Sequence, residues 1–302
     1  MREIVRPMEI RQLQLFVALA EELNFTRTAE RLNTVQSNVT SHIRHLEEEL
    51  GAPLFDRFPR SVALTEAGTR FLPHARRVLG TVDEAARSVR HGEEPAGPLR
   101  IGAPESVLTY RLPVALRRFR HRYPHVKLIF RPYVDTPLAQ PLQDGTFDLA
   151  IRLTDAVREK SLGSQKLGSE RILLVAAPEH PVLARKSIRP SDLAGQLLLL
   201  TEEGCAYRKK FERVLQAQGV QPQSVADFVS VEAIKQCATL GMGIALLPEV
   251  VVAAELARKT LIPLPWRGAV LTMNTHVVWH KDRSMTPAMQ GFLAVVAETG
   301  AG

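Results

Sequence analysis

The chain has 302 residues, 45% of them hydrophobic, a formal net charge of +7 and two cysteines. That length suits a small head plus a body of roughly 200 residues, while so few cysteines exclude a disulfide scaffold and fit a reducing compartment. No apolar run approaches the roughly 18 residues that cross a bilayer, and residues 1–7 (MREIVRP) lack the apolar core of a signal peptide, so a cytoplasmic protein with no membrane contact is expected.

Residues 10–22 carry Leu13, Phe16, Val17, Leu19 and Ala20 on one face, with Leu23 following, and read as a packing helix. The stretch 25–57, FTRTAERLNTVQSNVTSHIRHLEEELGAPLFDR, organises the rest. Its apolar positions Ala29, Leu32, Val35, Val39, Ile43, Leu46 and Leu50 recur at threes and fours, the spacing of a buried helical face. The rhythm breaks once, at Asn33-Thr34, residues that favour turns and helix starts. Helices over 26–32 and 35–49 are therefore predicted, joined as a helix-turn-helix. On the second helix Val35, Val39, Ile43 and Leu46 point inward, and Gln36, Ser37, Asn38, Thr40, Ser41 and Arg44 point out. Gln, Asn and Arg meet base edges with paired hydrogen bonds, and Ser and Thr reach bases or phosphates. An ordinary solvated face carries Glu–Lys pairs, and this one has no acid before Glu47.

Gly51 is a helix stop, and Pro53-Leu54-Phe55 closes the small core. Residues 56–64, DRFPRSVAL, alternate well enough for a two-stranded wing with Pro59 near its tip and Arg57 and Arg60 placed for phosphate. Thr65-Glu66 caps a helix expected to run to about residue 90, with an apolar stripe through Phe71, Leu72, Ala75, Val78, Leu79, Val82, Ala85, Ala86 and Val89. Some 26 residues of helix span about 39 Å, more than a three-helix head covers, so a second copy of the chain is the simplest partner. Residues 1–91 hold 13 Arg, no Lys and 12 acids, a net of +1, and the remainder carries +6. Nucleic-acid binding must therefore rest on the local placement of Arg27, Arg31, Arg44, Arg57 and Arg60, while the basic body points to an anionic ligand.

After a Gly/Pro/Glu hinge (HGEEPAGP, 91–98) strands alternate with helices. Strands are predicted over 99–103, 126–133, 147–152, 171–177, 197–201, 226–229, 244–247 and 275–280, with helices over 108–123, 136–143, 205–218, 231–240, up to 259, and 286–298. Such alternation makes parallel sheets covered on both faces, here as two hinged α/β lobes. No phosphate-binding loop, dinucleotide fingerprint, nucleophile elbow, HExxH or paired CxxC occurs; no enzyme, cofactor or metal site is expected. His276 and His280 are four apart, but on a strand.

The segment RQLQLFVALAEELNFTRTAERL, then Leu50-Gly51, Pro53-Leu54-Phe55 and Arg57, then Leu64-Thr65, Ala67-Gly68, and the distal GMGIALLPE (241–249) resemble LysR-type transcriptional regulators over the whole chain. The family often has Ser and Pro near Val35 and Ser37, and Arg or Gln at His42, departures that bear on which bases are read. The resemblance implies a winged helix-turn-helix (8–65), a linker helix (66–91) that pairs antiparallel into a homodimer, a hinge (92–98) and a two-lobed, periplasmic-binding-protein-like α/β effector domain (99–300). Lobe I is placed at 99–168 and 265–300 and lobe II at 169–264. It further implies double-stranded promoter DNA, a small-molecule effector and RNA polymerase as partners, and assembly to dimers or tetramers.

Ligands bind such clefts at the carboxyl ends of strands, where helix starts offer free N–H groups. Three helix starts are expected to face it, at Ser106, at Gly204-Cys205 and at Ser230-Val231-Glu232. An anionic effector held by Ser106, Thr201, Arg208 and backbone groups of 203–205, with Arg152 on the opposite lip and Glu232 at the third start, is the resulting expectation. Ser106 and Thr201 read equally as plain N-caps, and Arg152 as a surface base. Cys205, at a helix start near Arg208, is expected to have a lowered pKa. It reads as a packing cysteine, a ligand contact or a redox switch, although Cys237 lies too far along the chain to match the paired cysteines of the family's peroxide sensors.

Overall fold

The computed structural model describes residues 8–58, 61–88, 95–133, 137–222 and 224–299. Its contacts separate it into two compact units, residues 1–93 with 140–146, and the remainder.

In the first unit α1 (Ile10–Glu22) starts at a capping box in which Gln12 Oε1 accepts from Glu9 N at 2.7 Å. Helix α2 (Phe25–Arg31) is capped by Asn24, whose Oδ1 accepts from Arg27 N at 3.0 Å. The turn places Asn33 at φ 50, and α3 (Gln36–Leu50) ends on Gly51 at φ 67, a backbone region that costs glycine nothing. Phe16, Leu19, Val39, Ile43 and Leu46 are fully buried, with the Phe16 ring 5.4 Å from Phe55 and 5.2 Å from Phe71. Two residues assigned to the buried face differ. Val35 is 64% exposed because it is the extended N-cap residue, outside α3's helical rotation, and Leu50, at the helix end, is 38% exposed. Strands β1 (Phe55–Phe58) and β2 (Ser61–Leu64) form the wing in antiparallel register. Thr65 Oγ1 accepts from Gly68 N at 2.9 Å and opens α4 (Glu66–Ser88). At 23 residues α4 is about 35 Å long; Phe71, Leu72, Ala75 and Leu79 pack on the helix-turn-helix core, whereas Val78 on the same stripe is 45% exposed.

The second unit is built on one sheet in the order β4-β3-β5-β11-β6-β9-β7-β8. In its first half β3 (Gly97–Ala103) lies parallel between β4 (Val126–Pro132) and β5 (Leu149–Thr154); in its second, β7 (Leu197–Thr201) lies parallel between β9 (Ile244–Pro248) and β8 (Ser224–Phe228). Two long antiparallel strands join the halves. β6 (Leu162–Ala176) pairs first with β11 (Thr272–His280) and then, from Ile172, with β9; a short β10 (Ile262–Pro263) flanks it. Both strands start earlier than expected, β6 nine residues before 171 and β11 three before 275; LGSQKLGSE carries little strand signal because it alternates between buried and solvent-facing residues and holds only two large apolar side chains. A π-turn (Val107–Arg111) and α5 (Pro113–Arg122) follow β3, α7 (Ala206–Gln216) follows β7, α8 (Val231–Thr239) follows β8, α9 (Glu249–Arg258) follows β9 and α10 (Pro287–Thr299) follows β11; α6 (Ala139–Gln143), ahead of β5 in the chain, falls with the first unit from residue 140 on. Among the described residues no helix is long and apolar enough to cross a membrane.

Candidate functional site

On α3, Gln36, Ser37, Ser41 and Arg44 are exposed, and Asn38 and Thr40 are half-buried. Asn38 Nδ2 donates to Thr34 Oγ1 at 2.8 Å and Thr40 Oγ1 to Gln36 O at 3.0 Å, so this pair keeps for a ligand the Asn38 carbonyl, the second Nδ2 hydrogen and the Thr40 lone pairs. Of the five arginines, Arg27 and Arg44 are exposed and form no ion pair among the described residues. Arg31 bridges Glu21 and Glu22 at 2.7 and 3.0 Å, and the bond to Glu21 raises its pKa. Arg57 is held by Glu47 at 2.7 Å and lies 5.6 Å over the Phe25 ring, and the same Glu47 carboxylate accepts from Leu54 N and Phe55 N. Arg31 and Arg57 are therefore pinned by carboxylates on the rim of this surface. Arg60, at the wing tip, lies outside the described residues.

The cleft lies where β3, β5 and β7 end. A cavity of about 60 Å³ there is lined by Ser106, Arg152, Thr201 and Cys205, as the sequence reading had them, and also by Glu105, Tyr133, Glu202 and Tyr207. This is room for a few solvent molecules or one small ligand. Thr201 and Tyr207 are 4% and 3% exposed, and neither hydroxyl makes a hydrogen bond among the described residues. The two hydroxyls and the Cys205 thiol lie beside one another, each close enough to perturb the others, without meeting in hydrogen-bonding geometry. Two buried O–H groups without acceptors are costly, since each forgoes its hydration. Ser106 is buried too and makes no cap bond, and the N-cap of α7 is Cys205, so neither Ser106 nor Thr201 serves as a plain N-cap. Arg152 reaches the cavity while pairing with Glu159 at 2.5 Å.

Four expectations for the cleft are corrected. Arg208 does not line the cavity: it is buried behind it, where its guanidinium donates to the Thr201 carbonyl, to Asp227 at 2.6 Å and to Glu212 at 2.7 Å. Burial pulls its pKa down, and the two carboxylates outweigh this to leave it raised. Gly204 does not line the cavity either; with φ 102 it shapes the turn that precedes Cys205. Glu232 is turned to the Tyr110 hydroxyl, Gln236 (2.8 Å) and Lys235 (2.9 Å), and the Tyr110 bond leads the contributions that bring its pKa to about 2. The start of α8 is already filled, because Glu105 accepts from Ser230 Oγ at 3.0 Å and from Val231 N at 2.9 Å, a carboxylate of the first half capping a helix of the second. The Cys205 thiol departs from expectation in sign: burial pushes its pKa up, and the neighbouring Thr201 hydroxyl and the N–H groups of Arg208 and Tyr207 only partly restore it.

Glu105 and Tyr207 adjoin residues that sequence reasoning singled out, in PES and GCAYR. The signal was their place just past a parallel strand; which of these neighbours turn inward was not legible.

Residues 10–69 match the model of the bacterial regulatory helix-turn-helix protein, lysR family, and residues 92–301 that of the LysR substrate binding domain. The chain belongs to the LysR family of DNA-binding transcriptional regulators. Over 293 residues this LysR regulator is 40% identical to the HTH-type transcriptional regulator YwqM of Bacillus subtilis (97% of this chain, 99% of the relative). It is 32% identical to the HTH-type transcriptional regulator GltR of the same organism (95% of each). Among solved structures, a full-length OxyR variant from Pseudomonas aeruginosa superposes with a TM-score of 0.74 at 24% identity, covering 98% of this chain and 95% of that one. Full-length CbnR complexed with its target DNA gives 0.69 at 22%, covering 97% and 100%. These two likenesses are of fold alone.

Proposed function

We propose that this LysR regulator binds promoter DNA as a homodimer, or a dimer of dimers, paired through α4. The exposed amide, hydroxyl and guanidinium groups from Gln36 to Arg44 enter the major groove and the wing meets phosphate. The half-covered apolar stripe of α4 supports the pairing. A small effector, whose class is an oxyanion or carboxylate, seats in the cavity at the start of α7 and shifts the balance between two arrangements of the α/β halves, to the extent that it prefers one of them. The observation that carries the effector reading is the pair of buried hydroxyls, Thr201 and Tyr207, in the cavity lining, neither of which meets an acceptor in hydrogen-bonding geometry among the described residues. An oxyanion supplies the missing acceptors and gains from the helix N-terminus.

A thermal-shift screen of small organic and inorganic anions against the full chain tests this. A hit should lose its effect in Thr201→Val, while Ser106→Ala should weaken the effector response and leave DNA affinity intact. An undiminished shift in Thr201→Val removes the hydroxyl from the site.

A further inference from the structure

We infer that this regulator has a second ligand site, a basic recess outside the Thr201–Tyr207 cavity that takes a small phosphate-bearing molecule. The recess has a volume of about 380 Å³ and lies between the loop joining β5 to β6 and the outward face of α7. Arg152, near the end of β5, and Arg158, in the loop, line one side; Lys209, Lys210 and Arg213 line it from the helix.

The acids there are already matched. Asp155 takes Lys210 at 2.9 and 3.2 Å, and Glu159 takes Arg152 at 2.5 Å. Lys210 is further fixed by the Thr272 carbonyl at 2.7 Å. The surplus positive charge rests on Arg158 and Arg213, whose guanidinium groups form no ion pair among the described residues.

Phosphate suits the arrangement better than a halide or a single carboxylate. A guanidinium fork meets two oxygens of a phosphoryl group at once, and two such forks from opposite walls match a dianion. Leu153, Ala156, Ala206 and Met273 supply an apolar side for the organic part of an ester. The loop belongs to the first half of the sheet and α7 to the second, so a ligand here ties the halves together beside the cavity, with which the recess shares Arg152, Leu153 and Ala206.

Isothermal titration of the full chain with inorganic pyrophosphate, at ionic strength held constant with chloride, tests the site. The parent should bind, and Arg158→Ala/Arg213→Ala should bind at least about tenfold more weakly, since a hydrogen bond to a charged group contributes on the order of tenfold. Thr201→Val and Arg44→Ala should bind as the parent does. The inference is overturned if the parent does not bind, or if the double variant binds unchanged. A loss in Thr201→Val, placing the anion in the cavity, or in Arg44→Ala, placing it on the DNA-reading head, overturns it equally. Failure of the effector reading shows separately, as an anion screen that Thr201→Val leaves untouched.

Discussion

Glu105→Gln isolates what a carboxylate does at the start of α8. Its two oxygens accept from Ser230 Oγ at 3.0 Å and Val231 N at 2.9 Å, residues 125 and 126 positions away along the chain. Glutamine keeps the shape and one acceptor. It sets an amide NH₂ against the remaining donor and removes the charge at the helix N-terminus. One hydrogen bond to a charged group is worth about 1.5–3 kcal/mol when lost, and a charge in the first turn about 0.3–1 kcal/mol. Because Glu105 is only half-buried, the lower part of the summed range, about 2 kcal/mol, is expected. For a unit of some 200 residues that lowers Tm by about 4–8 °C. Differential scanning calorimetry of the full chain, following the transition of the α/β unit, reads this directly. The helix-turn-helix transition should not move, because the substitution touches nothing in that unit. A Tm within about 1 °C of the parent would refute the claim that this carboxylate clamps the halves.

Arg44→Ala should weaken binding to a cognate site by about 1–3 kcal/mol, the worth of a bidentate base contact, and binding to random duplex far less; equal losses in a gel-shift comparison would reduce Arg44 to a phosphate contact. Glu232, its pKa brought down to about 2 from an ordinary 4.5, contributes stability that is fully present above about pH 4.5 and lost as pH falls toward 2. Acid-unfolding curves of Glu232→Gln should be flatter than the parent's across that window and coincide in shape above it; its side chain is 47% exposed, so screening keeps the effect small. Cys205, its pKa pushed up by burial, should alkylate with iodoacetamide more slowly at pH 7.5 than a free cysteine, as read by peptide mass spectrometry. Faster labelling would restore the redox-switch reading.

The amino-acid sequence by itself determined the elements whose causes are local. The threes-and-fours of Ala29, Val39, Ile43 and Leu46, the turn at Asn33 and the stop at Gly51 specify the helix-turn-helix, because helical period, capping and left-handed backbone each act within a few residues. The short apolar strands β3, β7 and β9 were legible for the same reason. What the tertiary structure decided lies between distant residues. The outer half of β6 owes its conformation to β11, about a hundred positions later, and not to its own apolar content. Arg208 turns away from the cleft because Asp227 and Glu212 wait behind it, and Glu105 occupies a helix start that sequence alone left open for a ligand. Position past a strand places a side chain near a cleft; only the partners brought in by folding decide whether its polar atoms are satisfied, and hence whether it is free to bind anything else.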